Sequence, residues 1–336
     1  MISEKENYLK VLKGEIPEWL PIDTYTFYPP WFTPAVICVR PQIFNQGRMG
    51  GKDMFGVTFI PTDSTGGQGM PDHSNPILKD IRDWPDVIKM PNIDDFDFEQ
   101  MAEHDLARID RSQTAVEMGS HVGYFQLLME FMGMTEGLCA MVEEPEAVYN
   151  LIEYMADWFD VFTERCVDAY KPDVFGITDD VASSQGTFMS KQMYRELFKP
   201  FHERLCKPAN KAGIPIDMHC CGRCEDFIEE WFDFHVIMWN CCQCMNDLKG
   251  IKKKYGNSFV LNGCNDFTDP QNFGRSNEDE VRDCVRKYID TFAPGGGYIF
   301  RGYVFGPKSD HTIPLRNQWL MSEYNNYGRS WYDKHR

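Results

Sequence analysis

Beyond residue 110, short apolar runs alternate with longer stretches in which apolar residues recur every three or four positions. The runs at 115–118, 174–180, 214–219, 236–240, 258–262 and 297–301 read as strands. The amphipathic stretches at 145–170, 190–212, 224–232, 247–255 and 277–292 read as helices, with Ser190 as a cap. Strands separated by single helices pair in parallel through right-handed crossovers. With at least six such units and no Gly-x-Gly-x-x-Gly after any strand, the pattern favours an α/β fold of the (β/α)8 TIM-barrel type over a dinucleotide-binding sheet.

The amino-terminal third lacks this rhythm. A helix over 3–14 stops at Pro17-Glu18-Trp19-Leu20-Pro21, and an extended segment over 22–28 follows. From there to about residue 95 the chain is rich in Gly, Pro, Asp and aromatic residues, and the stretch from Gly50 to Ile60 reads as a turn into a strand. No Ser/Gly linker separates this region from the rest, so the expectation is one domain, 1–336, whose barrel carries an elaborated N-terminal loop and hairpin.

Composition narrows the function. With 34 basic against 51 acidic residues, net −17, and no basic block beyond Lys252-Lys253-Lys254, nucleic acid and anionic membranes are poor partners. The charged start and the lack of any run near 18 apolar residues point to a soluble, cytoplasmic protein. Several of the 12 cysteines are adjacent, which suits reduced thiols and a metal better than disulfides.

Six cysteines lie between 220 and 244, just behind His219. Cys221, Cys224, Cys241 and Cys244 formally space a zinc ribbon, but an amphipathic helix and an apolar strand stand where ribbon turns belong. His219 and Cys221, two apart at a strand end, point the same way while Cys220 points oppositely, so both can meet one metal. A buried histidine beside free cysteines is the plainer alternative. Asp179, Asp180, Gln243 and Asp266 also stand at or just past strand C-termini, the active-site face of a barrel. One of Asp179 and Asp180 is expected to be functional and the other to cap a turn. Glu117 and His121 flank another strand end, and aromatic residues including Tyr28 and Trp31 suit a wall around a flat or apolar substrate.

Several stretches resemble the uroporphyrinogen decarboxylase superfamily. They are Lys13-Gly14-Glu15-Ile16-Pro17 near the start, Phe175-Gly176-Ile177-Thr178-Asp179-Asp180, His219-Cys220-Cys221-Gly222, and Gly263-Cys264-Asn265-Asp266. The segment Tyr28-Pro29-Pro30-Trp31-Phe32 stands where the decarboxylase carries a basic Arg-Gln-Ala-Gly-Arg type motif, and the His-x-Cys-Gly step is similar to that of the zinc methyltransferase branch. That resemblance implies Zn2+ as Lewis acid and transfer of a methyl group from a small methylated substrate, a phenyl methyl ether or methylated amine. The acceptor is the Co(I) of a corrinoid (cobalamin) carried by a partner corrinoid protein. It further implies metal ligands His219, Cys221 and a third. Methylthiol-forming members carry a cysteine near the last strand, which Gly295 to Tyr303 lacks, so Cys264 is the first choice ahead of Glu117, Asp179 or Asp180, and Tyr303. Asp179, Asp180 or Tyr303 would protonate the leaving oxygen. Tyr28, Trp31, Glu117, His121, Gln243 and Asp266 would contact substrate. A metal-free decarboxylase and a non-catalytic zinc or corrinoid-handling protein are the alternatives.

Overall fold

A computed structural model describes residues 2–25, 28, 31–44, 46–119, 123–267 and 277–335. Its strands are β1 (Ile22–Asp23), β2 (Val36–Val39), β3 (Gly51–Lys52), β4 (Thr58–Pro61), β5 (Gly69–Pro71), β6 (Ala115–Gly119), β7 (Val174–Thr178), β8 (Ile216–His219), β9 (Val236–Cys242), β10 (Val260–Gly263) and β11 (Tyr298–Arg301). Eight of them form one parallel sheet in the order β1-β11-β10-β9-β8-β7-β6-β2, and β3-β4-β5 form a small antiparallel sheet. Because β1 pairs with β11, the large sheet curls into a nearly closed (β/α)8 barrel. No helix among the described residues is long and apolar enough to cross a membrane.

The outer ring follows from helical periodicity. Helix Pro145–Tyr170 buries Val148, Leu151, Ile152, Met155, Phe159, Phe162 and Val167, a three-and-four spacing that keeps one face on the barrel. Pro145 opens it, and Lys171, at φ 45, ends it in the left-handed conformation. The predicted helix over 190–212 is two helices, Lys191–Leu197 and Lys199–Lys211, broken at Phe198. Pro200 supplies the reason, since it lacks an N–H. The expected extension over 22–28 stops after Asp23, whose carboxylate accepts the Tyr25 N–H at 2.8 Å while Tyr25 turns to φ 52. Helices Tyr124–Met132 and Met134–Glu143 lie in a stretch with no specific element prediction.

Inside the barrel the period of two builds layers. Val36, Ala115, Val174, Met238, Val260 and Ile299 form an apolar layer closed from below by Tyr8 and Val11 of helix Glu4–Leu12. Each buried valine, isoleucine or methionine of this layer stabilises by roughly 1.5–3 kcal/mol. Two residues on, the same strands present Cys38, Glu117, Gly176, Asn240, Asn262 and Arg301. The apolar plug therefore carries a polar floor, and the cavity above it faces the C-terminal ends of the strands.

Candidate metal centre

That cavity measures about 480 Å³ and is lined by residues from β1, β2, β6, β7, β8, β9 and β11 and the loops that follow them. At the end of β8, His219 and Cys221 project into it, with His219 Nε2 3.6 Å from Cys221 Sγ. Cys220 between them is fully buried, as alternation along an extended chain requires. Facing them, Cys241 Sγ lies 3.6 Å from Cys221 Sγ.

Cys241 enters the pocket because β9 is bulged. Leu261 pairs with Trp239 but Gly263 with Cys242, so three residues of β9 span two of β10. A bulge re-aims side chains, and here both Asn240 and Cys241 line the cavity. Asn240 Nδ2 donates to Asp217 Oδ2, which leaves Oδ1 as acceptor toward Arg301 Nη1 at 2.9 Å and His219 Nδ1 at 2.6 Å. His219 Nδ1 thus carries the proton, and Nε2 keeps its lone pair toward the two sulfurs.

The ligand atoms of His219, Cys221 and Cys241 all lie within 4.8 Å of one another. Around tetrahedral zinc, bonds of about 2.3 Å to sulfur and 2.0 Å to nitrogen place two sulfurs about 3.8 Å apart and a sulfur and nitrogen about 3.5 Å apart. The observed separations of 3.6 Å from Cys221 Sγ to each of the other two donor atoms suit that ion. The hydrogen bond from Cys221, helped by the Arg301 guanidinium, holds the Cys241 thiol down at about 5, whereas Cys221 is pushed up by the same bond and by burial. One sulfur is thus poised as thiolate before any metal arrives. Three protein ligands facing a cavity leave a position for an exogenous group, the pattern of a catalytic rather than a structural zinc site.

The remaining candidates separate clearly. Cys264, expected as third ligand, is fully buried and does not line the cavity. It lies beside Cys242, whose thiol is raised by burial and by a hydrogen bond with it. The four-cysteine arrangement is not assembled either, since Cys224 is buried with Sγ toward Cys220 O and Cys244 Sγ faces Tyr288 OH. Of the aspartates, Asp179 is fully buried and accepts the Phe125 and Gln126 N–H groups, each at 3.1 Å, with His202 Nε2 at 3.0 Å. It anchors the start of helix Tyr124–Met132 and does not line the cavity. Asp180 does, accepting the Cys221 N–H at 2.7 Å, with Oδ1 3.9 Å from His219 Nε2.

Glu117, Gln243 and Tyr303 line the cavity; Gln243 Oε1 accepts the Gly222 N–H at 2.6 Å. Asp266 instead accepts from Tyr288 OH at 2.7 Å, outside the lining. Tyr28 packs on Phe32, and Trp31 is 72% exposed, so neither forms a wall of the cavity. His121 lies outside the described residues. Asp23, Arg40, Asn240 and Arg301, which no sequence motif singled out, and Cys241, which the sequence offered only within the four-cysteine spacing, all face the cavity. Asn240 and Arg301 could have been found by carrying the period of two upward from Met238 and Ile299.

Glu117 needs room that only glycine gives: a Cβ at Gly176 would stand 2.7 Å from its Oε1. Burial, reinforced by Asp23, lifts its carboxyl from 4.5 to about 7, and burial with Glu117 raises Asp217 as well. Below pH 4.5 folded and unfolded chains both hold the Glu117 proton. As pH rises the unfolded chain releases it first, so this group's share of stability falls until about pH 7. Urea titrations at pH 5, 6 and 7 are expected to show that decline, and Glu117→Gln to make it shallower. An unchanged slope in the variant would contradict the assignment.

A (β/α)8 barrel with a His/Cys/Cys group in the lining of a polar cavity defines a candidate metalloenzyme class. The comparison with known families is more specific: the uroporphyrinogen decarboxylase (URO-D) family matches residues 54–302, and the chain belongs to it. No curated protein matches the sequence. Among solved structures, a methyltransferase from Methanosarcina mazei superposes with a TM-score of 0.66 at 13% identity, covering 97% of this chain and 99% of that one. At that identity the likeness speaks for the fold.

Proposed function

We propose that this protein is a zinc-dependent methyltransferase that moves a methyl group from a small methylated substrate to the Co(I) of a corrinoid carried by a partner protein. The observation that carries the reading is the convergence of the His219, Cys221 and Cys241 donor atoms within 4.8 Å of one another in the lining of the cavity. The shared fold with a methyltransferase is consistent with it. Zinc, when bound by these three residues, supplies a Lewis acid that makes the leaving heteroatom a better leaving group. In a methyl ether the carbon–oxygen bond breaks, a cobalt–carbon bond forms, and the oxygen takes up a proton.

The chain's own groups would do the rest. Asp180 stands at the edge of the ligand group, placed to hold or relay that proton. Burial pushes the Tyr303 phenol up, so it keeps its proton and can donate toward the cavity. Tyr25, Tyr303 and Phe305 give the cavity apolar walls that restrict water around the methyl group. Asp179 is assigned to positioning the helix start.

Zinc-loaded protein mixed anaerobically with cob(I)alamin and a panel of methyl ethers and methylamines is expected to form methylcobalamin, read from its visible spectrum. His219→Ala should lower that rate by about a hundredfold or more, the scale of losing the group that stabilises the leaving charge. Release of CO2 from a carboxylated substrate, with the same rate in His219→Ala, would instead support a metal-free decarboxylase.

A further inference from the structure

Three guanidinium groups face the cavity, and two are committed. Arg48 Nη1 and Nη2 donate to the two oxygens of Glu130 at 2.9 and 2.8 Å. Arg301 donates to Asn240 Oδ1 at 2.9 Å and to Tyr303 OH at 3.0 Å. Arg40 is placed differently. It follows β2, and a Cβ on Gly119 would stand 3.1 Å from its Cγ and 3.3 Å from its Nε, so the side chain lies across the bare backbone at the end of β6. Its neighbours are the Cys38 thiol, the Tyr25 ring and the Glu117 carboxyl. Among the described residues no carboxylate stands at ion-pair distance from it.

The other carboxylates of the cavity are engaged. Asp180 accepts from the Cys221 N–H at 2.7 Å and from Gln126 Nε2 at 3.3 Å. Asp23 accepts from Asn262 Nδ2 at 3.0 Å and from the Tyr25 N–H at 2.8 Å. A half-buried guanidinium with no carboxylate at ion-pair distance is costly, and its planar fork matches a carboxylate. In the barrel order β2 and β9 are four strands apart, so Arg40 and Cys241 sit on opposite walls. The rings of Tyr25 and Tyr303, whose centroids are 6.0 Å apart, line the same cavity.

We propose that Arg40 is the anion anchor of this cavity, taking the carboxylate of a small carboxylic-acid substrate whose opposite end reaches His219, Cys221 and Cys241. The substrate class is therefore a methyl donor bearing a carboxylate distant from the methyl group. The assignment borrows from the methyl-transfer reading only that the substrate enters this cavity.

Calorimetric titration of the zinc-loaded protein with para-methoxybenzoate and its uncharged isostere para-methoxybenzamide tests the anchor. The acid is expected to bind about tenfold or more tightly than the amide, the scale of one charge-assisted bidentate contact. Arg40→Gln should erase that preference by weakening the acid alone, with zinc content unchanged and a melting temperature no lower than wild type, and Arg40→Lys should restore part of it. In His219→Ala the preference should persist. A preference lost in His219→Ala but kept in Arg40→Gln would put the carboxylate on the metal and overturn the proposal. So would equal binding of acid and amide, or binding of neither. Failure of the bound acid to yield methylcobalamin would count against methyl transfer and leave the anchor standing.

Discussion

Replacing Cys241 with alanine is expected to strip zinc from the protein as completely as replacing His219 or Cys221. Each removes one of three ligands whose donor atoms already stand within 4.8 Å of one another. Loss of an outer partner alone typically costs 10–100-fold in affinity, so loss of a ligand should cost on the order of 100-fold or more. Metal analysis after dialysis against a weak chelator should find near-stoichiometric zinc in wild type and little in the three variants. Cys264→Ser and Cys244→Ser should retain zinc, since Cys264 is buried away from the cavity and Cys244 faces Tyr288. Zinc kept in Cys241→Ala and lost in Cys264→Ser would overturn the ligand set.

Asp179→Ala should act on folding rather than on the metal. The substitution leaves the Phe125 and Gln126 N–H groups and buried His202 without their acceptor. Breaking a buried, charge-assisted contact by removing one partner costs about 3–5 kcal/mol. The urea midpoint should fall accordingly with little change in slope, while zinc stoichiometry stays the same. Asp180→Ala, at a side chain 31% exposed, should unfold near the wild-type midpoint and lose methyl transfer instead. The reverse pattern would mean that the two adjacent carboxylates have exchanged roles.

Much of this arrangement was legible in the chain. The barrel followed from apolar strands alternating with amphipathic helices, and the meeting of His219 with Cys221 followed from the two-residue repeat at a strand end. Which of the two adjacent aspartates faces the cavity needed coordinates. Asp179 is taken up by a helix start 53 and 54 residues earlier in sequence, and no local pattern announces such a contact.

Cys241 was hidden for a different reason. Strict alternation from Met238 and Asn240 turns its side chain outward, and only the bulge opposite Leu261 and Gly263 returns it to the cavity. The expected aromatic wall from Tyr28 and Trp31 illustrates the same limit in loops. Nothing in their spacing fixes a direction, and Trp31 stands largely in solvent. Arg40 and Arg301, by contrast, lie just after and at the end of regular strands, where carrying the period of two upward would have placed them.

An open zinc centre with two sulfur ligands and one imidazole has a distinctive signature in zinc K-edge X-ray absorption of the metal-loaded protein. The predicted spectrum contains two sulfurs at about 2.3 Å, one imidazole nitrogen at about 2.0 Å and a light exchangeable atom in the remaining position. A shell of four sulfurs, or of nitrogen and oxygen alone, would contradict it.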